Sequence, residues 1–192
     1  MAGWRLKAGP GAAVTPWRFF LGWPKVRGME DAALDVLAKR LGERLAAAGI
    51  YAATAESCTG GWIAKLITDV AGSSGWFDRG FVTYSNRAKQ DMLGVRADTL
   101  AAHGAVSEAA VREMAAGALA RSDAGISVAV SGIAGPGGGT PDKPVGTVWL
   151  AWAMRGADIA AERRRFAGDR DAVRRQTVVR AIEGLLERLG GD

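Results

Sequence analysis

Apolar residues recur along the chain with two alternating spacings from Met29 onward, and this alternation predicts both helices and strands. The first helix ends near Gly49 and is predicted by four leucines that lie three or four residues apart: Leu34, Leu37, Leu41 and Leu45. The next segment, residues 50–55, is a short, continuous apolar run of the kind that forms a buried strand. A second helix is predicted over residues 58–70.

The same alternation continues toward the C-terminus and predicts the fold class. Four further strands are predicted, the last two as a hairpin: residues 77–85, 125–132, 145–154 and 159–166. Three further helices are predicted to begin at polar residues that can cap a helix N-terminus: Asn86, Ser107 and Asp169. This order predicts a single α/β domain over residues 29–192, a three-layer α/β/α sandwich around a mixed β-sheet.

Composition limits the chemistry and the surroundings in which the protein can work. With one cysteine the chain cannot form an internal disulfide, which favours a reducing compartment such as the cytoplasm. One histidine and one cysteine are too few for a zinc site built on several such ligands, so we predict no metal. No apolar stretch approaches the roughly 20 residues that a membrane span needs, and we expect no membrane association.

The net charge of +5 comes entirely from the first 28 residues. This segment holds five basic residues and no acidic residue, and the rest of the chain has 20 basic and 20 acidic residues. The segment also contains three of the seven tryptophans and three of the six prolines, without a helical or strand period. We therefore predict a poorly ordered extension over residues 1–28, with Met29 as an alternative natural start, and no binding of nucleic acid.

Two potential nucleophiles, Ser57 and Cys58, lie side by side where the first strand gives way to a helix, in the segment AESCTGG. As an N-cap, Ser57 would accept a hydrogen bond from a free N–H group of the helix. As a nucleophile, it would use the same N–H groups and the helix dipole to stabilise an oxyanion. Gly60 and Gly61 would allow a substrate to approach the backbone closely, and Cys58 fits a small buried residue.

A nucleophilic serine needs a base, and the segment VTYSNRAK offers a lysine for that role. His103, the single histidine, lies in a loop-like segment and is not favoured as the base of a Ser-His-Asp triad. Lys89 falls in the first turn of the helix predicted after Asn86, where the helix dipole favours its neutral form. The alternative for Lys89 is a solvated surface lysine, and for Tyr84 a packed aromatic with a hydrated hydroxyl.

The segment from Ser131 to Thr147 contains six glycines and follows a predicted buried strand. Such a loop exposes many N–H groups and can bind a phosphate or another anion. Three prolines stiffen the segment, which argues against the alternative of a flexible connection. The arginines between residues 163 and 175 alternate with acidic residues and fit a solvated face better than a nucleic-acid site.

Four segments resemble the CinA C-terminal-domain family: AESCTGG, VTYSNRAK, HGAVSEAAVREMAAGAL and SGIAGPGGGTPDKPVGTVW. They occur in the family's order, and the resemblance extends from about Glu30 to the C-terminus. The family's stand-alone members are nicotinamide-nucleotide amidases. The resemblance therefore implies hydrolysis of nicotinamide mononucleotide (NMN) to nicotinate mononucleotide and ammonia, in pyridine-nucleotide recycling and without a cofactor.

The resemblance also implies a catalytic group of Ser57, Tyr84 and Lys89. Tyr84 and Lys89 follow Ser57 by 27 and 32 residues, as in the family. Ser57 would attack the carboxamide, Lys89 would take its proton, and Tyr84 would orient the lysine or relay the proton. Two glycine-containing turns are expected to bind the oxyanion and the ribose phosphate: Cys58, Thr59, Gly60, Gly61, Gly135, Gly137, Gly138 and Gly139.

Some features of the chain depart from this resemblance. Arg87 stands where relatives often carry glutamate, and residues 1–28 have no counterpart. The nucleotide-processing domain of longer members is missing, so a second, pyrophosphatase-type activity is not expected. The alternative function is a non-catalytic nucleotide-binding module, or an accessory module associated with competence or DNA damage. The apolar helix over residues 107–120 offers an interface for a homo-oligomer.

Overall fold

A computed structural model describes residues 29–190, and the predicted extension over residues 1–28 lies outside that range. Within it the chain forms five strands: β1 (Ala52–Glu56), β2 (Phe77–Val82), β3 (Ile126–Gly132), β4 (Thr147–Met154) and β5 (Ala160–Arg165). The same range contains six α-helices: α1 (Met29–Ala48), α2 (Trp62–Thr68), α3 (Asn86–Leu93), α4 (Ala97–His103), α5 (Glu108–Ala120) and α6 (Arg170–Arg188). The predicted α/β class is confirmed.

The five strands form one mixed sheet in the order β2-β1-β3-β4-β5. β1 runs parallel to both β2 and β3, whereas β4 runs antiparallel to β3 and β5. From β1 the chain continues to β2 on one side, and it then crosses to β3 on the other side. The carboxyl end of β1 therefore lies where the direction of the connections reverses, which is where ligands bind in open α/β sheets.

Helices cover both faces of the sheet, which confirms the three-layer α/β/α sandwich. One face packs against α1, α2 and α6 through large, fully buried side chains that include Leu41, Ile63 and Ile182. The other face packs against α3, α4 and α5, and five of its strand positions are alanines: Ala53, Ala55, Ala129, Ala151 and Ala153. Small side chains on this face allow the helices to lie close to the sheet.

The helix that carries Lys89, α3, touches α5 at a glycine. A Cβ atom added to Gly117 of α5 would lie 2.0 Å from the carbonyl oxygen of Leu93, the last residue of α3. Any other residue at this position would collide with the backbone of α3, so Gly117 permits the close approach. This contact helps to determine where α3, and therefore Lys89, lies relative to the sheet.

The apolar face of α5 is buried within its own domain. Its main apolar residues are fully buried in the cluster between this helix and the sheet: Ala110, Val111, Met114, Ala115 and Ala118. Intramolecular packing already covers this face, so it is not available as the predicted interface, and the homo-oligomer itself stays a prediction.

Two helices begin differently from the sequence prediction. α2 begins at Trp62, later than predicted, because residues 57–61 form a turn. The cap of α3 is Ser85 and not Asn86, since the Ser85 side chain accepts a hydrogen bond from the N–H group of Ala88. Serine and asparagine are similarly good caps, so the sequence alone does not separate these neighbours.

Other predicted features are confirmed. Ser107 caps α5 and Asp169 caps α6, each through a side-chain oxygen that accepts a backbone N–H group. β4 and β5 form the predicted hairpin. The sequence does not predict α4, because only Thr99 and Leu100 are buried in this helix and no apolar stripe marks it. None of the helices within residues 29–190 is long and apolar enough to cross a membrane.

Candidate active site

Ser57 and Lys89 come together at the carboxyl edge of the sheet. The Nζ atom of Lys89 lies 3.0 Å from the Oγ atom of Ser57. Ser57 directly follows β1, and its N–H group donates to the carbonyl oxygen of Val130 in β3 at 3.1 Å. Lys89 belongs to the first turn of α3. Only 1% of Lys89 and 9% of Ser57 is exposed, so the pair is shielded from bulk water.

The amino group of Lys89 is held by neutral oxygen atoms. Besides Ser57, its partner is the carbonyl oxygen of Thr83 at 2.8 Å, and no carboxylate pairs with it among residues 29–190. Burial lowers the pKa of Lys89 below its ordinary value of 10.5, against a smaller electrostatic effect of Cys58 that raises it. A larger neutral fraction enables Lys89 to accept the proton of Ser57. The alternative of a solvated surface lysine is therefore wrong.

The N-terminus of α2 is capped by Glu56 and not by Ser57. The Glu56 carboxylate accepts hydrogen bonds from three N–H groups at the helix start: Gly61 (3.0 Å), Ile63 (3.1 Å) and Ala64 (2.8 Å). The interpretation of Ser57 as an N-cap is therefore wrong, and its hydroxyl is available to Lys89. An acidic residue shortly before a helix is the signal in the sequence that points to such a cap.

The turn after Ser57 leaves the N–H groups of Cys58 and Thr59 without a hydrogen bond to another residue in the described part of the chain. The N–H group of Gly60 donates to the carbonyl oxygen of Ser57 at 3.1 Å, and that of Gly61 donates to the buried carboxylate. Both glycines have a positive φ, 64° and 93°, which allows the chain to close the turn. Of the N–H groups predicted to bind substrate here, only those of Cys58 and Thr59 can receive an oxyanion beside Ser57.

Arg174 of α6 supports this turn from another side. Its Nε atom donates to the carbonyl oxygen of Cys58 at 3.2 Å, and its Nη2 atom donates to that of Thr59 at 2.8 Å. The guanidinium also lies over the ring of Trp62, 5.2 Å from the ring centre, in a cation–π contact. No sequence signal points to Arg174, because 115 positions separate it from Thr59.

Cys58 lies next to Ser57 but is poorly suited to act as a nucleophile. Only 7% of the residue is exposed. Burial raises the pKa of the Cys58 thiol to about 12, so the reactive thiolate is scarce at neutral pH. The interpretation of Cys58 as a small buried residue is confirmed.

Tyr84 lies at the rim of the site and not between Ser57 and Lys89. The residue is 64% exposed, and its hydroxyl accepts a hydrogen bond from Nη2 of Arg170 at 3.4 Å. In the described residues no hydrogen bond joins Tyr84 to the pair, unlike the arrangement that the sequence predicts. The same guanidinium donates from Nη1 to the carbonyl oxygen of Gly135 at 3.0 Å. Arg170, one of the arginines that the sequence analysis assigned to a solvated face, thus links the tyrosine to the glycine-rich segment.

The glycine loop, residues 133–146, leaves β3 at the same edge of the sheet as Ser57. Hydrogen bonds close its base, since Ile133 donates to Thr147 at 2.9 Å and accepts from Gly146 at 2.8 Å. Three of the predicted anion-binding glycines are exposed and one is buried: Gly137, Gly138, Gly139 and, buried, Gly135. The loop therefore starts from a fixed base, exposes Gly137, Gly138 and Gly139, and bonds to Arg170 through its buried Gly135.

Two residue groups considered from the sequence take no part in the pair. His103 is exposed at the end of α4, and its carbonyl oxygen accepts a hydrogen bond from Lys143 at 2.9 Å. In the arginine-rich segment Arg164 pairs with Glu162 at 3.0 Å, as expected of a solvated face. The expectation is wrong for Arg170 and Arg174 of the same segment, which bond to residues of the site.

Two grooves open at the surface of the described domain. One, with a volume of about 560 Å³, is lined by Gly60, Gly61, Trp62 and Arg174 among other residues. The other, of about 1000 Å³, lies between α1 and α6 and includes none of the three predicted catalytic residues. The smaller groove borders the turn that follows Ser57 at Gly60 and Gly61, but, like the larger one, it is lined by none of the three predicted catalytic residues.

A buried serine–lysine pair at the carboxyl edge of a mixed α/β sheet defines a site at which a lysine can activate a serine as a nucleophile. The chain belongs to the CinA C-terminal domain family, whose sequence model matches residues 34–189. The family resemblance that the four sequence segments indicate is thus confirmed over nearly all of the described residues.

Relatives with names and solved structures cover the same range. Nicotinamide-nucleotide amidohydrolase PncC of Escherichia coli (strain K12) is 56% identical over 160 residues, which are 83% of this chain and 97% of the relative. The protein of the same name from Pseudomonas putida is 56% identical over 154 residues, 80% of this chain and 96% of the relative. The crystal structure of competence/damage inducible protein CihA from Agrobacterium tumefaciens matches with a TM-score of 0.79 at 48% identity, covering 82% of this chain and 95% of that chain.

Proposed function

We propose that the protein is an amidohydrolase that converts NMN to nicotinate mononucleotide and ammonia. Two relatives, matched over almost their whole length, are named nicotinamide-nucleotide amidohydrolases. The observation that carries the proposal is the 3.0 Å distance between Nζ of Lys89 and Oγ of Ser57 in a buried environment. Such a pair can open an amide bond by transferring the acyl group to the serine.

In the first half of the reaction, neutral Lys89 takes the proton of Ser57, and Oγ of Ser57 forms a bond to the carboxamide carbon. The carbonyl oxygen becomes an oxyanion, for which the N–H groups of Cys58 and Thr59 are the available donors. The protonated lysine then gives its proton to the amide nitrogen, the C–N bond breaks, and ammonia leaves. The nicotinoyl group remains on Ser57 as an ester.

In the second half, water replaces ammonia. Lys89, neutral again, takes a proton from a water molecule, whose oxygen forms a bond to the ester carbon. When the second tetrahedral intermediate collapses, the proton returns to Oγ of Ser57 and nicotinate mononucleotide leaves. The carbonyl oxygen of Thr83 holds the amino group of Lys89 in both halves. Because no carboxylate of residues 29–190 pairs with it, the lysine gives its proton back readily.

The ribose phosphate of the substrate needs donors at the rim of the site. We assign this role to Arg170 together with the glycine loop, to which Arg170 is joined through Gly135 at 3.0 Å. The turn over residues 59–61, which the sequence also suggests for the phosphate, is not assigned this role, because the N–H groups of Gly60 and Gly61 already donate to Ser57 and Glu56. Since the hydroxyl of Tyr84 bonds to Arg170, we assign Tyr84 to substrate positioning and not to proton relay.

We place the reaction in the recycling of pyridine nucleotides in the cytoplasm. The substrate carries the pyridine ring as an amide and the product carries it as an acid, so the enzyme connects two nucleotide pools. The single cysteine is a buried free thiol, which suits a reducing compartment.

The alternative of an accessory module finds support in the name of the Agrobacterium tumefaciens protein, competence/damage inducible protein. A module that only binds nucleotides would have no use for an amino group buried against a serine hydroxyl. Burying an amine without a carboxylate is unfavourable, so such a pair favours a catalytic role over a purely structural one.

The proposal is tested by incubating the purified protein with NMN and measuring ammonia and nicotinate mononucleotide separately. Both products should form in equal amounts, and Ser57→Ala should form neither. Cys58→Ser should keep most of the activity and serves as the neighbouring control. If the wild-type protein binds NMN in a calorimetric titration and releases no ammonia, the accessory-module alternative replaces this proposal.

A further inference from the structure

A second buried charged side chain lies beside the Ser57–Lys89 pair, the carboxylate of Glu56, which is fully buried. Within residues 29–190 it accepts five hydrogen bonds: from Oγ1 of Thr54 (3.3 Å) and Thr59 (2.7 Å), and from the N–H groups of Gly61 (3.0 Å), Ile63 (3.1 Å) and Ala64 (2.8 Å). No lysine or arginine of that range forms a hydrogen bond or ion pair with it. Burial of a carboxylate is unfavourable unless such donors compensate for lost water, and here five of them do so.

Helix capping alone does not account for this arrangement. Three other helices are each capped by one small side chain that accepts one backbone N–H group: Ser85 for α3, Ser107 for α5 and Asp169 for α6. α2 has seven residues and is shorter than any of these, yet its cap is a fully buried carboxylate. The hydrogen bonds from Thr59 and Gly61 act on the turn that follows Ser57 as well as on the helix.

Peptide geometry fixes the direction of the free N–H groups in this turn. In a trans peptide, the C=O of one residue and the N–H of the next point in opposite directions. The carbonyl oxygen of Ser57 accepts from Gly60 inside the turn at 3.1 Å, so the N–H group of Cys58 points out of the turn. The carbonyl oxygen of Cys58 accepts from Arg174 at 3.2 Å, so the N–H group of Thr59 points away from Arg174.

We propose that Glu56 is a positioning residue for the proposed amidase reaction. Its buried carboxylate, through Thr59 and Gly61, holds the turn over residues 57–61 in a shape that leaves the N–H groups of Cys58 and Thr59 free for the oxyanion. It also takes up the competing N–H groups at the start of α2. The role in the reaction rests on the proposed function, whereas the role in the turn rests on the hydrogen bonds of Glu56 itself.

The proposal is tested with three variants. Glu56→Gln keeps the size of the side chain but turns an NH₂ group toward converging donors. We expect kcat to fall about 100-fold, because one misplaced oxyanion donor costs on the order of 10²–10³-fold, and KM to change less than about threefold. Thr59→Val removes one donor to the carboxylate and should lower kcat about tenfold. Ser107→Ala, the control, removes a helix cap elsewhere and should leave kcat unchanged.

A second readout does not depend on NMN hydrolysis. A fluorophosphonate probe labels an active serine when Oγ bonds to phosphorus and fluoride leaves, and negative charge develops on the phosphoryl oxygen. The same N–H groups should stabilise that charge, so Glu56→Gln should be labelled about 100-fold more slowly than wild type, as measured by intact-protein mass. Ser107→Ala should be labelled at the wild-type rate. If the wild-type protein is labelled at Ser57 but releases no ammonia, the proposed function fails and the labelling rates still decide the role of Glu56.

Thermal unfolding of each variant separates positioning from stability. Wild-type kcat and labelling rate in Glu56→Gln would overturn the proposal. An equal loss of activity in Ser107→Ala would also overturn it, because the effect would then follow from stability. If Glu56→Gln does not fold, Thr59→Val decides, and a folded Thr59→Val with unchanged kcat and labelling rate overturns the positioning role.

Discussion

Ser57 and Ser107 each precede a predicted helix, and each fits the pattern of an N-cap. In the structure only Ser107 acts in this way, with its Oγ atom accepting from the N–H group of Ala110 at 3.2 Å. The hydroxyl of Ser57 instead meets the amino group of Lys89, because the carboxylate of Glu56 caps the helix that follows. Ser57 is available for chemistry because its neighbour performs the structural task that the pattern predicts for it.

Burial does not distinguish the two serines, since 9% of Ser57 and 8% of Ser107 is exposed. The hydrogen-bond partners of the two hydroxyl groups distinguish Ser57 from Ser107. The hydroxyl of Ser107 donates to the carbonyl oxygen of Gly104 at 2.8 Å and accepts from a backbone N–H group, so backbone groups occupy it both as donor and as acceptor. The hydroxyl of Ser57 faces an amine, with which it can exchange a proton. The proton acceptor beside a serine therefore says more about its role than its burial does.

Exchanging each serine for alanine should give opposite results. Ser57→Ala should lower ammonia release at least about a thousandfold, as expected for loss of a nucleophile, with little change in stability because Ser57 caps no helix. Ser107→Ala should keep its turnover and lose about 1 kcal/mol of unfolding free energy, the usual loss for a cap. Ammonia release and urea unfolding measure the two effects. Substantial turnover in Ser57→Ala would move the nucleophile to another residue, with Cys58 the first to examine.

The amine beside Ser57 can be removed without altering Ser57 itself. Lys89→Met keeps a long apolar side chain, and Lys89→Arg keeps the charge but cannot act as a base in this pH range. Both should lower kcat by about 10²–10⁴-fold, the range for a lost general base. Steady-state kinetics with NMN measure this loss, and folding is checked by circular dichroism. If Lys89→Arg retains wild-type turnover, the lysine serves only as a positive charge.

Both the activity at Ser57 and the stability of the protein should depend on pH, because the protonation of Lys89 affects both. Burial lowers the pKa of folded Lys89 below 10.5, so kcat/KM should rise as the lysine loses its proton, with a midpoint below that value. Between the lowered pKa and 10.5 the unfolded chain binds more protons than the folded one. Stability should therefore rise with pH in that range. Urea unfolding should show this rise in wild type and not in Lys89→Met, and an equal pH dependence in both proteins would contradict the assignment.

The smallest of these effects is expected at Arg170, which lies on the Ser57 side of the molecule. Arg170→Ala should raise KM for NMN about tenfold, as expected for one lost hydrogen bond to a charged group, and change kcat less. Nicotinamide riboside, which lacks the phosphate, should be affected little. Arg79→Ala, which removes an exposed arginine paired with Asp78 at 2.8 Å, is the control. Equal losses with both substrates would show that Arg170 acts on the loop and not on the phosphate.

Local features of the fold could be predicted from the sequence, because local spacing determines them. The leucine stripe of α1 and the caps Ser107 and Asp169 follow from rules that act within a few residues. The sequence could not predict that Ser85 and not Asn86 caps α3, since both residue types suit the cap position. The helix α4 has too few buried residues to show a period.

The candidate site was less predictable, because distant residues build it. Spacing alone left Lys89 open as a surface lysine. The need of Ser57 for a base made Lys89 a candidate, and the family resemblance supported that assignment. Arg170 and Arg174 reach the site from α6, and their contacts with Tyr84 and Thr59 span 86 and 115 positions. No periodic pattern in the sequence records contacts across such distances, so these residues became visible only in three dimensions.

The close approach of Gly117 to the carbonyl oxygen of Leu93 has a consequence for comparing the activity of related sequences. Gly117 contacts neither Ser57 nor Lys89, yet its lack of a side chain allows α3, the helix that carries Lys89, to pack close to α5. A substitution at Gly117 would add a Cβ atom that collides with the backbone of α3, the helix that carries Lys89, while every residue of the site kept its identity. Two sequences with the same Ser57, Tyr84 and Lys89 can thus differ in activity, and comparing only those three positions would not reveal which one has lost it.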